Sequence, residues 1–242
     1  MTVDYDFTRN VHTLEGAREA LGVLFAAQTP RSVLDVGCGI GTWLAAAIEL
    51  GVDDVVGVDG AVADEHAVMV PHEILRHIDL TQAWSLGRRF DAVLCLEVAE
   101  HLEAGHAPGL VESLAAHSDT IYFSAACPNQ GGQHHVNCQW PDYWQQLFNA
   151  RGYACSDTPR WLIWNNPRIE PWYRQNLFVA TRSGGMSAGR EPRIPAVIHP
   201  QMMQHIFLRD ATLGRMPLRW LLGAACSGLA AKASRWLRVA SS

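Results

Sequence analysis

The feature that most constrains this chain is Val33-Leu34-Asp35-Val36-Gly37-Cys38-Gly39-Ile40-Gly41-Thr42-Trp43, an apolar run that breaks into three alternating glycines and resumes with helical spacing. Strand, glycine turn and helix in that order make a device for cradling a nucleotide. Without a Cβ, Gly37, Gly39 and Gly41 can take backbone angles closed to other residues and let a ligand approach the main chain. Taken alone, such a turn is also compatible with a tight connection that holds nothing. The context favours the ligand: a second run, Asp54-Val55-Val56-Gly57-Val58-Asp59, ends in an acid about 20 residues beyond the turn, where doubly wound folds place a ribose-binding carboxylate.

The alternation of strand and helix patterns continues along the chain. Leu14, Ala17, Leu21, Leu24 and Phe25 form a helical stripe that stops at Thr29-Pro30. A third strand over 73–78 runs into Asp79-Leu80, and a fourth over 90–96 runs into Glu97. Helices are expected over 42–50, 103–117 and 142–150, the last opened by Pro141, with a fifth strand over 120–124. Residues 153–164 and 175–181 suggest a closing β-pair, joined by a proline-containing, aromatic-rich loop that is either a packed connection or a substrate wall.

These motifs together resemble the class I S-adenosylmethionine-dependent methyltransferases over residues 31–182. In that family the turn is written close to Leu-Asp-Val-Gly-Cys-Gly-x-Gly, as at Leu34–Gly41 here, whereas the dinucleotide fingerprint Gly-x-Gly-x-x-Gly of NAD-binding folds lacks its last glycine in this chain. The resemblance implies an α/β fold, a Rossmann-like doubly wound seven-stranded sheet, with S-adenosylmethionine as cofactor. It further implies that Gly37, Gly39 and Gly41 line the methionine part, that Asp59 holds the ribose, that Asp79 with Leu80 contacts the adenine, and that Asp35 orders the turn. Cys38 and Trp43 complete the cofactor-binding candidates. The organisation expected is an N-terminal helical cap at 1–30, the catalytic domain at 31–182, a glycine-, proline- and arginine-containing linker at 183–200, and a basic helical tail at 201–242.

A second constellation begins where the fourth strand ends, Glu97-Val98-Ala99-Glu100-His101-Leu102. Coiled as a helix, it would put Glu97, Glu100 and His101 on one face. Two carboxylates and an imidazole at a crevice make either a hydrogen-bonded structural knot, an acid/base group or a metal site, the donors suiting magnesium, manganese, iron or zinc. The loop after the fifth strand, 127–140, offers His134 or His135 as a further ligand. Glu-x-x-Glu-His followed by a later histidine resembles two metal-dependent groups, the small-RNA terminal 2'-O-methyltransferases and the ubiquinone-pathway O-methyltransferases of catechols. By that resemblance Glu97, Glu100, His101 and His135 hold Mg2+ or another divalent ion, and His101, His135 and Glu100 are the catalytic candidates. Cys138-Gln139-Trp140 departs from the RNA enzymes' wording at this point.

Charge narrows the substrate. The net charge is −5, yet residues 183–242 carry eight basic side chains against two acidic ones, so residues 1–182 stand near −11. An acidic domain repels a polyanion, which disfavours nucleic acid and favours a small acceptor. The six cysteines include no Cys-x-x-Cys pair and are expected as reduced core thiols. With an acidic, polar N-terminus and no run of about 20 apolar residues, the expected location is cytoplasmic. Within the tail, the uncharged run Trp220–Ala231 between basic residues suits docking on the domain, a homodimer contact, or a peripheral membrane surface. The reading that follows is an O-methyltransferase of a small hydroxylated molecule such as a sugar or natural-product diol. Its rivals are an N-methyltransferase of a small amine, a terminal 2'-O-methyltransferase of RNA, and a non-catalytic cofactor-binding partner subunit.

Overall fold

The computed structural model describes residues 5–7, 12–61, 66–182 and 188–203. Residues Met1–His199 form one compact unit and Pro200–Ser242 a second. The apolar stretch of the tail, with the docking, dimer and membrane readings attached to it, lies outside the described residues.

Seven strands are described: β1 Ser32–Val36, β2 Asp54–Asp59, β3 Leu75–His77, β4 Ala92–Leu96, β5 Thr120–Ser124, β6 Tyr153–Ser156 and β7 Phe178–Arg182. They form one sheet in the order β3-β2-β1-β4-β5-β7-β6, parallel except for β7, which runs antiparallel to both of its neighbours. The helices are α1 Leu14–Leu24, α2 Thr42–Glu49, α3 Ala107–His117, α4 Pro141–Asn149, α5 Thr158–Ile163 and α6 Pro171–Asn176.

The unbroken apolar strands follow from burial on both faces. Along β4, Val93 and Cys95 join one core with Leu110, Phe123, Trp144 and Phe148, while Ala92, Leu94 and Leu96 join the other with Leu21, Leu44 and Tyr173. The same two-residue period in β1 sends Leu34 and Val36 to the first core and Val33 to the second. On the second face, α1 is fixed by its cap. The Thr13 side chain accepts from Gly16 N–H at 2.9 Å, and Glu170, just ahead of α6, accepts from Thr13 N–H at 2.6 Å and its hydroxyl at 2.9 Å.

Several expectations are corrected. The last strand pair is shorter than its apolar runs suggest, because 158–163 and 171–176 are helical, each with a proline in its first turn where the missing N–H does no harm. The third strand begins only after a 3-10 turn at His72–Ile74. The helix expected from 103 starts at Ala107, after 3-10 turns at Ala99–His101 and Ala104–His106. Residues 188–199, expected within a linker, are sewn to the domain. Buried Glu191 accepts from Gln145 Nε2, Asn149 Nδ2 and Cys155 N–H, Ile194 N–H donates to Gln145 Oε1 at 2.8 Å, and Ile194 is buried. Burial opposes ionisation of Glu191, yet those donors hold its pKa down to about 2.

Candidate active site

The chain reverses direction across the sheet between β1 and β4, and this switch point puts the loops after both strands side by side at the carboxyl edge. The loop after β1 carries the glycines, all three with left-handed backbones (φ 76° at Gly37, 54° at Gly39, 83° at Gly41). A side chain at Gly37 would overlap the γ-methyls of Val98, in the loop after β4, and a Cβ at Gly41 would stand 2.6 Å from Val70 Cγ2. Both angle and space therefore demand glycine.

Asp59, at the end of β2, accepts Gly39 N–H on one oxygen and Ala61 N–H on the other, both at 2.7 Å. It is this carboxylate that ties the turn, the role expected of Asp35. Asp35 itself is 2 % exposed, and its Oδ2 has no hydrogen-bond partner. Burial, with the nearby Asp59 charge adding to it, raises the Asp35 pKa to about 8.

The other cofactor candidates divide. Leu80 is buried, and a Cβ at Gly60 would lie about 4.0 Å from Leu80 N, so the chain after β3 passes beside the end of β2. The exposed carboxylate of Asp79 turns back to accept from Thr81 N–H and hydroxyl at 2.9 and 2.6 Å, which lowers its pKa and commits it to the local turn. Cys38 and Trp43 belong to the core. Cys38 packs against the Gly57 position, and Trp43 meets Tyr173 edge-on at 4.9 Å with Nε1 reaching the tyrosine oxygen at 3.4 Å.

The second constellation is assembled differently from the single helical face expected. Glu97 has a left-handed backbone (φ 57°) and stands outside the 3-10 turn Ala99–His101. Its two oxygens receive Gln130 Nε2 at 2.6 Å and Asn176 Nδ2 at 3.0 Å. Glu100, His101 and His135 are the groups brought together, each offering a ligand atom within 4.8 Å of the others. Between the two histidines of the loop the geometry selects His135, whose Nε2 lies 3.9 Å from Glu100 Oε1; His134 is exposed, on a left-handed backbone (φ 51°). The loop is pinned to the same turn, since Val136 and Asn137 N–H both donate to the Glu100 carbonyl at 2.9 and 3.0 Å.

Electrostatically this cluster is incomplete. Glu100 is 0 % exposed, and neither carboxylate oxygen makes a well-directed hydrogen bond, although the backbone N–H groups of Glu100 and Ala126 lie nearby. Burial and then the Glu97 charge push its pKa well up. Burial, together with His135, lowers the His101 pKa to about 4, which keeps the ring neutral with Nδ1 unpartnered. Buried polar atoms without partners, here the two Glu100 oxygens and His101 Nδ1, are costly, and a divalent ion held by the cluster would offset that cost. The residues fit such an ion: one carboxylate and two imidazoles are a borderline donor set.

Sequence reasoning missed the amides that clamp Glu97, because Gln130 and Asn176 come from a loop and a helix far apart in the chain. It also missed Gly132, where a Cβ would overlap the His135 ring. A third omission is the N-terminal Tyr5, which meets His101 edge-on at 5.5 Å.

A sequence profile described as a methyltransferase domain matches residues 8–162, well over half of the chain. The chain belongs to the methyltransferase-domain family. No curated protein matches it. Among solved structures, this methyltransferase is similar to magnesium protoporphyrin IX methyltransferase from Synechocystis with bound SAH, at 19% identity and TM-score 0.51, covering 70% of this chain and 83% of that one. It is also similar to the sugar N-methyltransferase KedS8 from Streptoalloteichus (18% identity, TM-score 0.54, 73% and 89% covered) and to DesVI from Streptomyces venezuelae (16%, 0.53, 70% and 92%). At these identities the likeness is one of fold. No described helix is long and apolar enough to cross a membrane.

Proposed function

We propose that this methyltransferase uses S-adenosylmethionine to methylate an oxygen of a small hydroxylated acceptor, a sugar or natural-product diol, with a divalent ion held by Glu100, His101 and His135. The observation that carries the reading is the fully buried Glu100 carboxylate, whose oxygens make no well-directed hydrogen bond, grouped with two imidazoles. The glycine turn and buried Asp35 suit a cationic donor laid on main chain. A sulfonium methyl is already activated, so the chain has to orient the acceptor oxygen in line and take up its proton. A bound divalent ion lowers the pKa of a coordinated hydroxyl. Neutral His101 keeps a lone pair available near pH 7, and Glu97, clamped by two amides, stands beside Glu100 without competing for its place. The charge near −11 over residues 1–182 argues against RNA as the acceptor.

An amine acceptor is the second reading, since the sugar N-methyltransferase KedS8 shares the fold and amine methylation needs no ion. An acceptor screen with methyl-labelled donor, run with and without chelator and followed by product NMR, separates the two. O-methyl products that vanish on chelation support the first reading; N-methyl products unaffected by chelator replace it. Absence of label transfer to every acceptor class would favour a non-catalytic cofactor-binding subunit.

A further inference from the structure

Three described residues near the N-terminus, Tyr5, Asp6 and Phe7, cross the site from one lip to the other and have no part in the chemistry above. On one lip Phe7 lies against the glycine turn, where a Cβ at Gly39 would stand 3.3 Å from Phe7 Cε1. On the other, Asp6 N–H donates to Gln133 Oε1 at 3.3 Å and Gln133 Nε2 donates back to the Asp6 carbonyl at 3.0 Å. Gln133 belongs to the loop that carries His135. Between the lips, the Tyr5 ring meets Phe7 at 5.1 Å and His101 edge-on at 5.5 Å.

We propose that residues 5–7 are a strap that closes over the bound donor and clamps the His135 loop, so that one element covers both the donor seat and the Glu100 cluster. The inference rests on the donor assignment made above. Its fastenings include ring contacts and one exposed amide-to-peptide pair, contacts of a kind that is individually weak and opens readily. A cover of this kind must lift to admit the donor and then excludes water while the acceptor oxygen is held in line. Fastening it to Gln133 makes donor capture and ordering of His135 one event.

The test uses the full chain and S-adenosylhomocysteine, the demethylated product, as probe. Its release rate is followed by displacement with excess donor, in wild type, Phe7→Ala and Gln133→Ala. Release is expected to quicken about tenfold in Phe7→Ala and about three- to tenfold in Gln133→Ala, with smaller changes in association. Hydrogen exchange in the N-terminal peptide is expected to slow when the probe binds. Unchanged release in both variants overturns the strap, and so does tighter binding by Phe7→Ala, which would place the ring in the donor's own seat. Wild type that takes up neither compound overturns the donor assignment and the strap with it; normal uptake with unaltered variants overturns the strap alone.

Discussion

Asp35→Asn tests the donor seat through its electrostatics. The carboxyl is buried, and its pKa stands at about 8, compared with 3.8 for an ordinary aspartate. Between those values the folded chain holds a proton that the unfolded chain has released, so stability falls as pH rises from about 4 to about 8. At 1.36 kcal/mol per unit the term reaches about 4 kcal/mol by pH 7, an upper bound because buried sites relax. An amide carries no such term. Whatever offset Asp35→Asn has at pH 4, its stability relative to wild type should therefore improve by about 2–4 kcal/mol at pH 7, read by denaturant unfolding at both pH values. A cationic donor reverses the preference, pulling Asp35 into its ionised form. Wild type should then release close to one proton on binding S-adenosylmethionine at pH 7, measured by calorimetry in buffers of different ionisation enthalpy, and Asp35→Asn should bind more weakly without that release. A stability difference independent of pH, or donor binding by Asp35→Asn as tight as wild type, would refute the reasoning.

Two glycines give sharper steric tests. Gly37→Ala places a methyl on Val98 at φ 76° and should cost about 2–4 kcal/mol in unfolding experiments and abolish donor binding. Gly51→Ala has the same left-handed backbone with nothing within 4 Å, so it should cost only the strain term of about 1–2 kcal/mol and leave the donor bound; equal losses in the two variants would remove the steric argument. Gly132→Ala, at an exposed position, should displace the His135 ring and weaken divalent-ion affinity by about 10- to 100-fold, as calorimetry with the ion would reveal.

What was legible in the sequence was whatever local spacing encodes. Alternating glycines after an apolar strand announced left-handed angles, because that signal is confined to one strand end. Glu100, His101 and His135 were legible as chemistry but not as geometry. The expected helical face failed because Glu97 adopts φ 57° and is captured by Gln130 and Asn176, partners that no local pattern connects to it. Asp59 holds the turn in place of Asp35 for a similar reason: which of two neighbouring acids turns toward the glycine N–H depends on tertiary placement. Short proline-opened helices such as α5 imitate strands, since six residues are too few to display a 3.6-residue period. Tyr5–Phe7 carries no periodicity at all, and its meaning comes wholly from Gly39, His101 and Gln133.

The account stands most directly on the ion. Titration of Mn2+ and of Zn2+ into metal-stripped protein, followed by calorimetry and, for Mn2+, by electron paramagnetic resonance, should find one site per chain in wild type. That site should be lost in Glu100→Gln and in His135→Ala variants that retain cooperative unfolding. Wild type that binds neither ion, or a Glu100→Gln variant that binds as tightly as wild type, would contradict it.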